Sequence, residues 1–165
     1  MNKQTPLVVV GSIIRHKGKL LAIKRAKPPY AGLLSLPGGK VEFCEHIVAA
    51  ALRETKEETG LDCKFEKMLG TFSEILHQPD GTKRHFIVFV AELKAPNFDV
   101  VESNEGQLVW IEENKWETVK NQFIASDYHI VKEFLASNSK MEIREVKMSE
   151  KRNGDKTIYE LEEFK

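Results

Sequence analysis

The segment GKVEFCEHIVAAALRETKEETGL, residues 39–61, constrains this chain more than any other part of it. Residues 46–59 contain no proline and no glycine and are rich in Ala, Leu, Glu, Lys and Arg, which predicts a helix. Gly60 follows as a left-handed stop. At about 100° per residue, Glu57 lies roughly 60° to one side of Glu54 and Glu58 roughly 40° to the other. The three carboxylates therefore share one face, although like charges so spaced cost an isolated helix roughly 0.2–0.5 kcal/mol per pair. Val48, Ala51, Leu52, Thr55 and Thr59 fall on a different arc, which is predicted to face the core. Ala50 precedes Glu54 by one turn, and its small side chain leaves room beside the acids. A face of crowded carboxylates suits a divalent cation, and a cation held in this way commonly meets phosphate.

The segment before the helix, Leu36-Pro37-Gly38-Gly39-Lys40, adds to that reading. Paired glycines allow a close approach of backbone to ligand. A backbone carbonyl there, for example that of Gly38, is a hard oxygen donor suited to Mg²⁺ or Mn²⁺ beside Glu54, Glu57 and Glu58. Lys40 supplies a positive charge for phosphate. The competing reading is a solvated acidic helix after an ordinary turn. It accounts for either piece alone but not for their combined spacing.

The rest of the chain reads as one domain of 165 residues with a short extension. Basic and acidic residues balance at 25 each, which argues against a broad nucleic-acid footprint. No apolar run approaches the roughly 20 residues that span a bilayer. The start reads as a strand rather than a signal peptide, and Cys44 and Cys63 make no disulfide framework, so a reducing cytoplasm is expected. Residues 7–14 and 20–24 read as a β-hairpin. Residues 26–40 read as a breaker-rich loop of functional length. Strands are expected at 63–76, with an irregularity at Gly70, at 85–93 and at 108–111, with Asp80-Gly81 as a turn. Helices are expected at 114–121 and 127–136, the second with Ile130, Val131, Phe134 and Leu135 on one side. This order suggests an α/β or α+β sandwich with a mixed sheet between helices. Residues 1–138 form the expected domain. Residues 139–165 form an extension that reads as a β-hairpin around Asn153-Gly154. Its role is open between an edge hairpin, a dimer contact and a lid over substrate.

The spacing of Gly39, Glu45, Arg53, Glu54, Glu57, Glu58 and Gly60 resembles the signature of the Nudix hydrolases, GX5EX7REUXEEXGU with U aliphatic. Leu61 stands at the last U. Thr55 stands at the first, keeping a β-branched shape but adding a hydroxyl. The preceding GLLSLPGG is similar to the family too, and the likeness covers roughly residues 5–138. The resemblance implies an α/β/α sandwich and a hydrolase that cleaves the pyrophosphate of a nucleoside diphosphate linked to another group. It implies Mg²⁺, with Mn²⁺ as an alternative, held by Glu57, Glu58 and a carbonyl of Gly38 or Gly39. Glu54 is implied as a second-metal ligand or general base, Arg53 as the residue that orients the acids, and Glu45 as support for the same network. Family members often add an acid from outside the motif. Glu105 is favoured over Glu102 because NEGQLVW looks like the family's segment before the tryptophan, although a solvated loop acid is the simpler account of either.

Arg25, Lys27, Tyr30 and Phe86 are candidates to grip phosphate or stack on a base. GLLSLPGGKVE resembles members acting on ADP-ribose, whereas NEGQLVWI resembles members acting on nucleoside triphosphates. The substrate is therefore expected to be a small nucleotide of either kind. A homodimer is permitted. The alternatives are a catalytically idle nucleotide sensor of the same family and a purely structural domain. The intact set of motif acids disfavours the sensor.

Overall fold

The computed structural model describes residues 5–136 and 142–165, the backbone alone at residues 142 and 143. The expected boundary between residues 138 and 139 lies outside the described residues. Strand β1 (Leu7–His16) and strand β2 (Lys19–Arg25) pair antiparallel around Lys17 and Gly18. Both turn residues have positive φ, 46° and 75°, which matches the right-handed twist of a tight hairpin. Residues 26–40 are not wholly loop: they carry two short strands, β3 (Leu34–Ser35) and β4 (Gly38–Lys40). β4 lies against β1 with Gly38 opposite Gly11. Helix α1 spans Ile47–Thr59 and ends at Gly60 with φ 74°.

Two longer strands follow, β5 (Lys64–His77) and β6 (Lys83–Lys94), antiparallel around the Asp80-Gly81 turn. The irregularity expected at Gly70 is a register shift between Met68 and Gly70, with another between Phe65 and Lys67, so the strand bends without ending. Strand β7 (Gly106–Glu112) pairs along the whole of β2. The helix expected over 114–121 is a 3-10 helix, Glu113–Gln122. Helix α2 (Ala125–Ala136) begins two residues earlier than its pattern suggested. Strands β8 (Glu142–Asn153) and β9 (Lys156–Phe164) form a hairpin around Gly154-Asp155. β8 joins β5 in parallel.

Among the described residues all nine strands belong to one mixed sheet, with β6 parallel to β1 at its centre. Its two faces hold separate cores. On one, Ala50 and Ala51 of α1 pack with Val10, Ile14, Leu21, Ala91 and Leu93. On the other, Trp116, Tyr128 and Val131 of the 3-10 helix and α2 pack with Ile13, Phe72, Leu76 and Val90. Helix, sheet and helix thus make the expected α/β/α sandwich. Each fully buried Ile or Leu contributes about 1.5–3 kcal/mol.

The inner arc of α1 differs from the expected one. Ala50 is fully buried and Val48 only half-buried, because the helix lies close to the sheet on its small-residue side. The hydroxyl that Thr55 brings into this interface is satisfied: its Oγ1 lies 3.3 Å from Ser12 Oγ as donor.

Candidate active site

Glycine, arginine and acid fix the junction between α1 and β4. Arg53 donates from Nε and Nη2 to the two carboxylate oxygens of Glu45, each at 2.8 Å. Its Nη1 donates to Glu54 at 2.8 Å and to Glu57 at 3.3 Å. Nη2 also donates to the Lys40 carbonyl at 3.0 Å. One planar guanidinium therefore ties the helix face to the glycine loop. Hydrogen bonding from Arg53, and then from the Glu42 amide, draws the Glu45 carboxyl down to about 2, and Glu45 in turn raises the pKa of Arg53.

Gly38 and Gly39 explain why small residues stand beside the acids. The Gly38 amide donates to Glu58 Oε2 at 2.9 Å. A Cβ on Gly39 would stand 2.4 Å from the carboxyl carbon of Glu54. Glu58 is buried, and that burial pushes its carboxyl up to about 7 despite the Gly38 bond. Glu57 is the most open of the three, with its side chain 60% exposed. Glu54 and Glu58 thus lie against the Gly38-Gly39 bend, and Glu57 is drawn toward Glu54 by their shared Arg53 Nη1 donor.

These groups line one open cleft of about 1160 Å³. Gly38, Lys40, Arg53, Glu54, Glu57, Glu58, Glu105, Arg25, Tyr30 and Phe86 all border it. Glu45 stands behind Arg53 and is not part of its lining. Glu105 enters from the loop before β7 and pairs with Lys27 at 2.6 Å. Arg25 donates from Nε to the Pro29 carbonyl at 3.0 Å. Tyr30 is not an open stacking ring. It is 5% exposed, its hydroxyl donates to Glu74 at 2.7 Å, and its ring packs on Tyr159 with centroids 4.4 Å apart. Phe86, in β6, remains half-buried along the cleft.

Sequence reasoning did not single out three of the lining residues. Glu74 faces inward between Phe72 and Leu76, and burial pushes its carboxyl up. Asp127, in the first turn of α2, accepts the Leu36 amide at 2.9 Å, and burial raises its carboxyl to about 7. Arg84 borders the cleft from β6 and donates to Gln78 at 3.2 Å. The alternation Phe72-Ser73-Glu74-Ile75-Leu76 carried a signal, an acid at an inward position of a buried strand. Nothing local marked Asp127 or Arg84.

The chemistry of the donor set decides whether a cation fits. Among the described residues no three His, Cys, Asp or Glu side chains already converge as a metal cage. The donors available at the bend are all oxygens: carboxylates of Glu54, Glu57 and Glu58 and nearby backbone carbonyls. The missing Cβ at Gly39 leaves the Glu54 carboxylate directly against the backbone. That set fits a hard divalent ion completed by water and phosphate oxygens.

Comparison with known proteins places these features in context. The NUDIX domain family model matches residues 4–134. An ADP-ribose pyrophosphatase of Methanocaldococcus jannaschii is 45% identical over 76 residues, 46% of this chain and 45% of that protein. The 8-oxo-dGDP phosphatase NUDT18 of Danio rerio is 34% identical over 85 residues, 51% of this chain and 24% of that protein. This chain therefore aligns with less than half the length of either relative. Among solved structures, the MutT protein of Bacillus halodurans superposes with a TM-score of 0.74 at 24% identity, covering 96% of both chains.

Proposed function

We propose, from the premise that this chain belongs to the Nudix family, that it is a divalent-metal-dependent pyrophosphohydrolase. Its substrate would be a nucleoside diphosphate joined to a further group, with ADP-ribose the first compound to test. The observation that carries the reading is the contact of the α1 acids with the glycine bend: the Gly38 amide on Glu58 and the Glu54 carboxylate against Gly39. The ADP-ribose assignment draws on the name of the archaeal relative. Nucleoside triphosphates and oxidised nucleotides are the second substrate reading, supported by NEGQLVW and by the zebrafish relative. Loss of catalysis with retained nucleotide binding is the alternative, and the complete set of motif acids weighs against it.

In this reading Glu57 and Glu58, with Glu54 and a Gly38 carbonyl, would hold Mg²⁺ or Mn²⁺. When bound, such an ion neutralises diphosphate charge and lowers the pKa of water. The chain's own residues do the rest. Arg53 fixes the orientation of Glu54 and, through Glu45, remains tied to the start of the helix. Lys40 and Arg25 offset the remaining phosphate charge. Phe86 offers an apolar surface to the base. Glu105, held by Lys27, or Glu54 accepts the proton of the attacking water. The water oxygen bonds to one phosphorus while the bridging P–O bond breaks. The products are a nucleoside monophosphate and a phosphorylated partner group, with one proton released.

A panel of ADP-ribose, nucleotide sugars, dinucleoside polyphosphates, and ordinary and oxidised nucleoside triphosphates tests this with Mg²⁺ present. Parent protein is expected to release nucleoside monophosphate from at least one member. Glu57→Gln and Glu58→Gln are expected to lose at least about 100-fold in kcat, the scale of a lost electrostatic group in an active site. Equal turnover in parent and variants would remove both residues from the chemistry. Nucleotide binding without turnover would favour the sensor.

A further inference from the structure

Tyr159, in β9, lies outside the matched family segment and does not line the cleft. It nevertheless touches the residue that shapes one cleft wall. The Tyr30 amide donates to the Tyr159 hydroxyl oxygen at 3.0 Å, and the two rings pack at 4.4 Å. Tyr30 has φ +66°, a conformation that side-chain-bearing residues adopt only where their surroundings enforce it. Its hydroxyl is fastened to Glu74 of β5 at the opposite end. β8 is hydrogen-bonded to that same strand, with Val146 opposite Glu74. β5, β8, β9, Tyr159 and Tyr30 therefore form a closed ring of constraints. A second tie runs from Phe164 of β9 to His129 of α2, with ring centroids 5.3 Å apart. Within that ring the Pro29 carbonyl accepts the Arg25 Nε bond, so the placement of residues 28–30 decides where the Arg25 guanidinium sits along the cleft.

We infer that Tyr159 is a positioning residue for substrate: the C-terminal hairpin clamps residues 28–30 through Tyr30 and so sets the aim of Arg25 into the cleft. The inference rests on the cleft being the substrate site proposed above. It predicts that the hairpin governs substrate affinity and leaves the chemical step alone, because no group of Tyr159 reaches the acids of α1.

Tyr159→Phe tests this, since it deletes one oxygen and keeps the ring. Glu160→Gln, whose side chain pairs with Lys151 on the hairpin, serves as the control. With ADP-ribose and Mg²⁺, Tyr159→Phe is expected to raise KM about two- to tenfold, the usual worth of one hydrogen bond. Its kcat should stay within about twofold of the parent. Hydrogen exchange at the Tyr30 amide is expected to accelerate in the same variant. Unchanged KM together with unchanged exchange would overturn the assignment. So would a fall in kcat with KM preserved, which would make Tyr159 part of the chemistry or of the general fold. Should the parent cleave nothing in the panel, the proposed reaction fails by itself. The clamp is then judged by AMP affinity and Tyr30 exchange: weaker binding with faster exchange in Tyr159→Phe supports it, and no change in either removes it.

Discussion

At the scale of single residues, the two adjacent glycines of the bend have different physical jobs. A Cβ on Gly38 would meet the Val10 carbonyl oxygen at 2.0 Å, at a φ of 152°. That neighbour is backbone in a paired strand and cannot step aside. A Cβ on Gly39 would meet only the carboxyl end of Glu54, which can swing away. Gly38→Ala is therefore expected to destabilise the protein by more than about 1 kcal/mol. Gly39→Ala is expected to cost little stability but to lower turnover at least about tenfold by displacing Glu54. Thermal melts alongside steady-state rates separate the two, and a Gly39→Ala enzyme of parental activity would remove the Glu54 contact from the mechanism. The same scale shows why Tyr30 was read as a free aromatic: its composition signal is that of any tyrosine in a loop. Its burial comes from Glu74 and Tyr159, residues 44 and 129 positions away.

At the scale of elements, α1 is the part most legible beforehand, because its extent and acidic face follow from local periodicity and a glycine stop. The 26–40 segment was less legible. Leu34–Ser35 and Gly38–Lys40 are too short to show a period of their own and become strands only by pairing with β2 and β1. The junction of α2 with that segment was not legible at all. Asp127 of the first helical turn accepts the Leu36 amide, and desolvation of its half-buried side chain pushes the carboxyl up to about 7 from an ordinary 3.8. Below the ordinary value both folded and unfolded chains hold the proton. Between there and about 7 only the folded chain does, so this group's contribution to stability falls by about 1.4 kcal/mol per pH unit as pH rises, then levels off. Asp127→Asn abolishes that slope. Melts at pH 5 and pH 8 are expected to show the variant gaining on the parent at the higher pH, and a constant gap would mean that Asp127 is already ionised at pH 5.

At the scale of the whole molecule, the sandwich brings acid from one helix, Glu105 from a loop and Arg84 with Phe86 from β6 to a single cleft. No helix among the described residues is long and apolar enough to cross a membrane. A divalent ion bound only by the folded form should stabilise the whole domain. At a hundredfold excess over Kd the gain is about 2.7 kcal/mol, worth roughly 5–10 °C in Tm at this size. Mg²⁺ is thus expected to raise the Tm of the parent by several degrees and to leave a Glu57→Gln/Glu58→Gln double variant almost unmoved. An identical response in both would place the ion elsewhere. What the chain alone determined is the acid ridge and the glycine bend before it, because a helix repeats every 3.6 residues and the two pieces are adjacent in sequence. Tertiary structure alone decided that Arg84 and Asp127 would border the same cleft and that Tyr159 would stand behind Tyr30 at its wall. Arg84 and Asp127 reach the cleft through strand register and layer packing, and Tyr159 reaches Tyr30 across 129 positions, a separation that leaves no periodic trace in either segment.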